Sequence, residues 1–271
     1  MKNRFWFCTV LVFALLAVAI SAETLQAVVR LPDNNPAPFA TVTVGDKVFE
    51  ADAEGRVTLE VPADVKTVKI TWLELTAELP VSANLKFKNR LLYGPPYIKE
   101  DFVVTGPDVW EFTDDQISAP LGSETMLFYE DAFDNMVLRA KYSITNPEKA
   151  QWYYLRFFIR LYDPGFWGYS VNMSVVNDPY FVRYDGNWDQ YVAANMTFFG
   201  PKPAEGKEYE LVMFAKDETI TVYHRDVAGK YTYTKVHQFV DNSPEAYFDG
   251  GFAIMKSYSG ATIRELGIFA Y

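Results

Sequence analysis

The chain has 271 residues and a formal charge of −10, with 49% hydrophobic and 17% aromatic residues. This composition excludes a disordered or collagen-like chain, because it supplies enough apolar area for a packed core. The acidic charge argues against nucleic-acid binding, which needs basic side chains to neutralise phosphates.

The N-terminal segment 1–22 has the pattern of a secretory signal peptide. Two basic residues precede an apolar run over 5–20, and the small residues Ser21 and Ala22 follow it. The alternative is a membrane anchor, but the apolar run is short for a bilayer span, and the small residues that follow it are typical of a signal-peptide cleavage site. We therefore predict cleavage after Ala22 and export to the periplasm, the cell surface or the extracellular space. No transmembrane span is expected in the mature chain.

Cleavage would remove Lys2, Arg4 and the single cysteine, Cys8, and would move the formal charge from −10 to −12. Disulfides, thiol catalysis and cysteine metal sites are then excluded, so the fold must depend on its hydrophobic core. We also predict no cofactor and no metal site. His224 and His237 lack the spacing of zinc ligands. Asp131, Asp134 and Asp249 could offer oxygen atoms to calcium, but the simpler interpretation is that they are turn residues.

Residues 23–85 alternate apolar and polar side chains in short runs, which is the period of strands with one buried face. One such run places Val68, Ile70 and Trp72 on the same face. Turn-forming residues separate the runs, as at 52–55. This pattern predicts a small antiparallel sandwich.

Two segments, 38–44 and 52–59, resemble the carboxypeptidase regulatory-like group of prealbumin-type sandwiches. The first contains Pro-Phe-Ala-Thr-Val-Thr-Val and the second Asp-Ala-Glu-Gly-Arg-Val-Thr-Leu. The resemblance implies an immunoglobulin-like domain over 23–85, of a kind that mostly serves as a spacer or accessory module. A linker is predicted over 86–99, where Pro95-Pro96 interrupts the strand pattern.

Residues 100–271 continue the strand pattern and contain no helix of convincing length and period. The clearest predicted strands cover 138–144, 167–175, 209–215, 219–225, 251–256 and 261–271. Many strands with regularly spaced turns favour a two-sheet sandwich or a jelly roll.

The order of these strands resembles the concanavalin A-like lectin/glucanase superfamily, and within it the 3-keto-disaccharide hydrolase-like group. The segments that carry the likeness are 133–142, 167–172, 206–212, 220–223 and 250–254. The resemblance implies a concanavalin A-like jelly-roll sandwich over 100–271. This fold hosts lectins, glycosidases, lyases and spacers, so it leaves the function open.

The stretch 152–162 carries the main sign of a ligand site. Alternation predicts one wholly apolar face and one face that mixes aromatic rings with guanidinium groups. Rings stack on the apolar faces of sugars, and arginine donates to hydroxyls or a carboxylate. The candidate ligand-binding residues are Trp152, Tyr154, Arg156, Arg160 and Tyr162, together with Trp188 from a nearby loop. The alternative is that a loop or the first domain covers this face, with packed rings and salt-bridged arginines.

No catalytic residue is predicted. Glycosidases of this superfamily place carboxylates at alternating positions of one strand, and no such run occurs. The hydrolase-like group carries a Glu and a Gln where this chain has Ser170 and Asn172. We therefore expect an exported, non-catalytic lectin-like protein that binds a glycan or a cell-envelope polymer. Two alternatives stay open: a glycoside hydrolase-like enzyme with acids from separate strands, and an envelope structural or protein-docking module.

Overall fold

A computed structural model describes residues 22–149, 153–162, 167–186, 197–229, 232–244 and 246–271. The predicted signal segment lies outside these residues up to Ser21. Within the described ranges, no helix has the length and apolar character required to cross a bilayer. The described chain is nearly all strand, with a short 3-10 helix at Lys99–Asp101, and this confirms the all-β prediction.

The first seven strands form two facing sheets, which we call the first sandwich. Their bounds are β1 Ala22–Arg30, β2 Thr41–Val44, β3 Lys47–Glu50, β4 Arg56–Pro62, β5 Thr67–Trp72, β6 Leu75–Pro80 and β7 Asn84–Lys86. Sheet A has the order β4-β1-β7, and sheet B has the order β3-β2-β5-β6. The alternating apolar positions of both sheets, among them Val29, Leu59, Val42 and Ile70, meet in one core.

The remaining strands form two larger sheets, which we call the second sandwich. Their bounds are β8 Leu91–Tyr93, β9 Val103–Thr105, β10 Glu111–Phe112, β11 Gln116–Ala119, β12 Glu124–Tyr129, β13 Met136–Thr145, β14 Tyr154–Leu161, β15 Trp167–Met173, β16 Tyr180–Asp185, β17 Thr197–Phe198, β18 Tyr209–Lys216, β19 Thr219–Asp226, β20 Thr234–Val240, β21 Gly251–Ser257 and β22 Gly260–Ala270. Sheet C has the order β10-β11-β22-β13-β18-β19-β20, with β8 also paired to β22. Sheet D has the order β17-β16-β15-β14-β21-β12-β9. Their inner faces share a core that includes Leu138, Phe157 and Ile254.

The segment predicted as a linker, 86–99, contributes to the second sandwich. Strand β8 within it pairs with β22, and the rings of Tyr93 and Tyr97 are buried in the core between sheets C and D. The physical reason is that these aromatic side chains bury apolar area on the sandwich, which a free connection would leave in water.

The first sandwich packs on the outer face of sheet C. Val137, Val212 and Phe214 of that face belong to the same apolar cluster as Trp72 of the first sandwich. The outer face of sheet D therefore lies on the opposite side of the second sandwich. The face carrying Arg156 is on sheet D, so the first sandwich does not cover it.

Candidate functional site

The outer face of sheet D carries a group of polar side chains at its centre. Tyr154 and Arg156 of β14 point to this face, as does Phe158. Strand pairing puts Arg156 opposite Asn172 of β15, and Asn172 opposite Tyr180 of β16. We call Tyr154, Arg156, Asn172 and Tyr180 the polar cluster.

The polar cluster is closely packed. The Arg156 guanidinium lies 5.0 Å from the centroid of the Tyr154 ring, and the rings of Tyr154 and Tyr180 meet edge to face at 6.3 Å. Burial raises the pKa of Tyr180 to about 12, so its hydroxyl remains a donor at neutral pH. Asn172 is 1% exposed; its Nδ2 donates to Ser170 Oγ, but its Oδ1 has no partner among the described residues.

Most of this face is buried rather than open. Its apolar members form one cluster, which comprises Met126, Phe128, Phe158, Leu161, Val182, Tyr184, Ala253 and Met255. In the polar cluster, Arg156 and Asn172 are buried and only Tyr154 and Tyr180 are partly exposed. A ligand at this face would therefore contact the two tyrosine rings first.

Arg160 lies away from the polar cluster, although strict alternation predicted it on the face of Arg156. Strand β14 bulges between Ile159 and Leu161, where Arg160 has a φ of +51°. The bulge turns the Arg160 side chain into the protein, where it is 1% exposed. Its guanidinium donates to the carbonyl oxygens of Asp134, Asp217 and Tyr247. Arg160 thus holds three loops together and offers no surface to a ligand.

Beyond the bulge, β14 leads into an aromatic group in which two exposed rings pack against one buried ring, that of Tyr247. Tyr162 is 51% exposed and Trp167, the first residue of β15, is 43% exposed. Both rings lie against the ring of Tyr247, with centroid distances of 5.6 Å and 6.4 Å. We call Tyr162, Trp167 and Tyr247 the end platform.

Carboxylates fix the hydroxyl groups of the end platform. The Tyr162 hydroxyl donates to Asp249, and the Tyr247 hydroxyl donates to Asp185 Oδ1 at 2.8 Å. Asp185 also accepts from Arg183 Nε at 2.8 Å, and the Arg183 guanidinium lies 5.2 Å from the Tyr247 centroid. The hydrogen bond to Asp249 raises the pKa of Tyr162, so this hydroxyl is protonated at neutral pH.

The indole of Trp167 is fixed by its contact with Gly186. A Cβ at Gly186 would lie 2.0 Å from the ring, so only glycine lets the indole lie against this backbone. The backbone N–H of Tyr162 also donates to the carbonyl of Trp167 at 3.0 Å, which keeps the two residues side by side. The rings of the end platform are thus ordered by their own contacts.

A network of charged and hydrogen-bonding side chains, centred on Arg183 and Asp241, packs against the buried side of the end platform. Arg183 donates to both carboxylate oxygens of Asp241, which also accepts from the Tyr169 hydroxyl. Burial opposes ionisation of Asp241, but hydrogen bonds from Tyr169 and Ser243 and the charge of Arg183 outweigh it and lower its pKa. This network keeps Arg183 ionised and oriented beneath Tyr247.

The direction in which the pKa of a carboxyl group is shifted is relevant to acid catalysis. In the described part of the chain these groups are Glu60, Glu210, Asp226, Asp241 and Glu265, and the pKa of each is lowered. A glycosidase needs a carboxylic acid with a raised pKa as proton donor. The shifts of these five groups run in the opposite direction.

The remaining predictions from the sequence concern two tryptophans and the metal site. Trp152 and Trp188 lie outside the described residues. The described residues contain no group of three or more His, Cys, Asp or Glu side chains that could hold a metal ion.

The candidate residues predicted from the sequence include neither Trp167, which is 43% exposed, nor Tyr247, which is buried and packs against both exposed rings. The available signal was a pair of aromatic residues, Tyr162 and Trp167, on either side of an Asp-Pro-Gly turn sequence. Such a turn brings its flanking residues together at the end of a hairpin.

No family model matches the chain, and no curated protein matches it. Among solved structures it is similar to the carbohydrate-binding module CBM66 from Bacillus subtilis, with 12% identity and a TM-score of 0.49 over 65% of this chain and 100% of that chain. It is similar to the Bauhinia forficata lectin in complex with GalNAc, with 12% identity and a TM-score of 0.48 over 67% and 99%. It is also similar to the Ca2+/Man3GlcNAc-bound VIP36 exoplasmic/lumenal domain, with 11% identity and a TM-score of 0.48 over 65% and 88%. At these values the similarity carries no functional argument.

Proposed function

We propose that this protein is an exported, non-catalytic carbohydrate-binding protein and that the end platform contacts the glycan. The observation that carries the proposal is a set of exposed aromatic rings that contacts within the protein already hold in place. Ordered rings bind with little further loss of side-chain entropy, which favours affinity for a weakly interacting ligand such as a sugar.

The chemistry of the end platform suits a pyranose. The exposed faces of Tyr162 and Trp167 offer flat apolar surface for the C–H face of the sugar. Asp185 and Asp249 each accept a tyrosine hydroxyl, and a carboxylate has further lone pairs for sugar hydroxyls. Apolar stacking beside hydroxyl acceptors is the combination that a sugar ring requires.

The ligand-binding residues predicted from the sequence have different roles in this proposal. Tyr162 is proposed as a direct contact. Arg156 and Arg160 are proposed as supports of β14, since both side chains are buried. Tyr154 is proposed as a peripheral contact, because it is partly exposed at the other end of the strand.

The test is a glycan-array screen of residues 23–271 with a Trp167→Ala variant. The wild-type protein is expected to bind one or more glycans, and the variant to lose about tenfold in affinity, as loss of one stacking ring implies. Ile98→Ala is the matched control, because Ile98 is similarly exposed but lies outside the end platform. Thermal unfolding of all three proteins checks that the fold is intact.

Two results would contradict the proposal. One is the absence of binding to any glycan, which would favour an envelope structural or docking module. The other is binding that Trp167→Ala leaves unchanged, which would move the site elsewhere. Release of reducing ends from a bound glycan would instead favour the hydrolase alternative.

A further inference from the structure

The turn between β21 and β22 has an unusual backbone. Tyr258 has a φ of +58°, and the N–H of Ser259 donates to the carbonyl of Ser257 at 2.8 Å. A bond from residue i+2 to residue i around a positive φ is the pattern of the γ-turn, which is rare and strained. A bulky aromatic residue in this conformation costs free energy that glycine would avoid.

Neighbouring groups force the turn into this conformation. The N–H of Tyr258 donates to Ser123 O at 3.0 Å, and the N–H of Gly122 donates to Tyr258 O at 2.9 Å. Lys256 is completely buried, and its ammonium donates to the carbonyl oxygens of Pro120, Gly122, Ser123 and Ser259. One lysine therefore ties both sides of the turn to the loop before β12.

The strained turn presents an ordered aromatic pair to solvent. The Tyr258 ring is 45% exposed and stacks on Tyr153, with centroids 5.9 Å apart and an interplanar angle of 24°. The Tyr153 hydroxyl donates to Glu148 Oε2 at 2.8 Å. Because nearly half of the Tyr258 surface remains exposed to solvent, core packing does not account for the strain at this position.

We infer that Tyr258 and Tyr153 form a second sugar-stacking site, so that the protein binds a polymeric, neutral glycan at two points. The inference rests on the proposed function. Its site resembles the end platform in chemistry: an ordered, exposed ring beside a carboxylate, here Glu148, that can accept a sugar hydroxyl.

The two sites lie at opposite ends of the same strand. Tyr153 precedes β14 and Tyr162 follows it. Nine residue steps of fully extended chain would cover about 30 Å, and the bulge at Arg160 makes the span somewhat shorter. A trisaccharide is shorter than this span and would occupy each site separately. A polymer can occupy both, which raises its apparent affinity by roughly 100-fold or more over a single site.

The test compares short and long forms of the same sugars by titration calorimetry. The probes are cellotriose with hydroxyethylcellulose, laminaritriose with laminarin, and mannotriose with yeast mannan. Wild-type protein is expected to bind two trisaccharides, and Tyr258→Gly and Trp167→Ala one each. Each variant is also expected to lose about tenfold or more in affinity for the polymer, because one of its two contact points is weakened.

A second readout separates a ligand role from a structural one. Tyr258→Gly should relieve the backbone strain and raise the unfolding midpoint by about 2–4 °C. A tyrosine kept for packing would give a lower midpoint on the same substitution. A lower midpoint together with unchanged polymer binding would overturn the inference.

The outcomes distinguish the two proposals. If Trp167→Ala weakens binding and Tyr258→Gly does not, the second site is wrong and the end platform stands. If only Tyr258→Gly weakens binding, the turn is the site and the end platform is wrong. If the wild-type protein binds none of the six probes, both the end platform and the second site are wrong as binding sites for these sugars.

Discussion

His224 is a buried neutral side chain whose charge state couples to folding. Its Nε2 lies 2.9 Å from the Tyr142 hydroxyl, and its ring stacks on Tyr209 at 5.2 Å. Burial lowers its pKa to about 4 from an ordinary value of 6.5. Because the unfolded chain takes up this proton first, the stabilisation is complete above pH 6.5 and is lost as pH falls towards 4. The expected loss over that window is about 3 kcal/mol.

Urea unfolding at a series of pH values measures this effect. The carboxyls with lowered pKa values, such as Glu210 and Asp241, act in the same direction but below their ordinary values of 4.5 and 3.8. The range from pH 4.5 to 6.5 therefore reports on the two histidines. His224→Gln should remove most of the slope there, and His237→Gln is the matched control. An unchanged slope in His224→Gln would contradict the assignment.

The alternation of side chains along β19 could have predicted the burial of His224. This residue shares a face of β19 with Ile220 and Val222, both of which lie in the core of the second sandwich. The same alternation gives no information on Tyr258. The backbone strain there comes from the carbonyl oxygens that surround the Lys256 ammonium and from hydrogen bonds to a loop that is distant in sequence. Local alternation reports which face a strand residue occupies, whereas turn geometry depends on residues far away in sequence.

The bulge in β14 lies against two glycines, Gly168 of β15 and Gly250 just before β21. At Gly250, where φ is +131°, a Cβ would lie 2.7 Å from Arg160 C and 2.9 Å from Leu161 N. Gly250→Ala should therefore displace the bulge and the platform residue Tyr162 after it. We expect a loss of about 2–4 kcal/mol in the free energy of unfolding and weaker glycan binding.

Gly45→Ala provides the matched control for this substitution. Gly45 has a φ of +58°, but a Cβ there would meet no atom within 4 Å. Only the backbone strain of about 1–2 kcal/mol is expected, with unchanged glycan binding. Equal losses in the two variants, measured by urea unfolding, would show that steric contact with the bulge is unimportant.

At the scale of the strand, sequence reasoning predicted β14 and its apolar inner face. It failed at Arg160 because the bulge depends on Gly168 of β15 and on Gly250 just before β21. These glycines lie outside β14 and make room for the bulge only after the sheet has formed. Tyr162, which follows the bulge, was among the predicted ligand-binding residues, but its aromatic partners Trp167 and Tyr247 were not. Period-two patterns describe an uninterrupted strand and cannot locate an inserted residue.

At the scale of the whole molecule, a buried charge network joins the two sandwiches. Arg139 of sheet C is completely buried and donates to Glu210 at 2.5 Å and to Glu265 at 2.7 Å. Asp33 of the first sandwich lies 3.8 Å from the same guanidinium. Asp33 approaches this closely because Gly267 has no side chain; a Cβ there would lie 2.6 Å from Asp33 Oδ2. Charges enclosed in this way resist separation, because each partner would be left buried and unpaired.

The shared apolar cluster and the charge network together predict that the two sandwiches unfold as one unit. Ile70→Ala, in the core of the first sandwich, should lower stability by about 2–4 kcal/mol. In native-state hydrogen exchange, amides of β5 and of β13 should lose protection by the same amount, although β13 belongs to the second sandwich. The exposed Val48→Ala variant should change neither strand. A loss confined to β5 would mean that the first sandwich opens alone, and its contacts with sheet C would then contribute little to the stability of the sheet D sites.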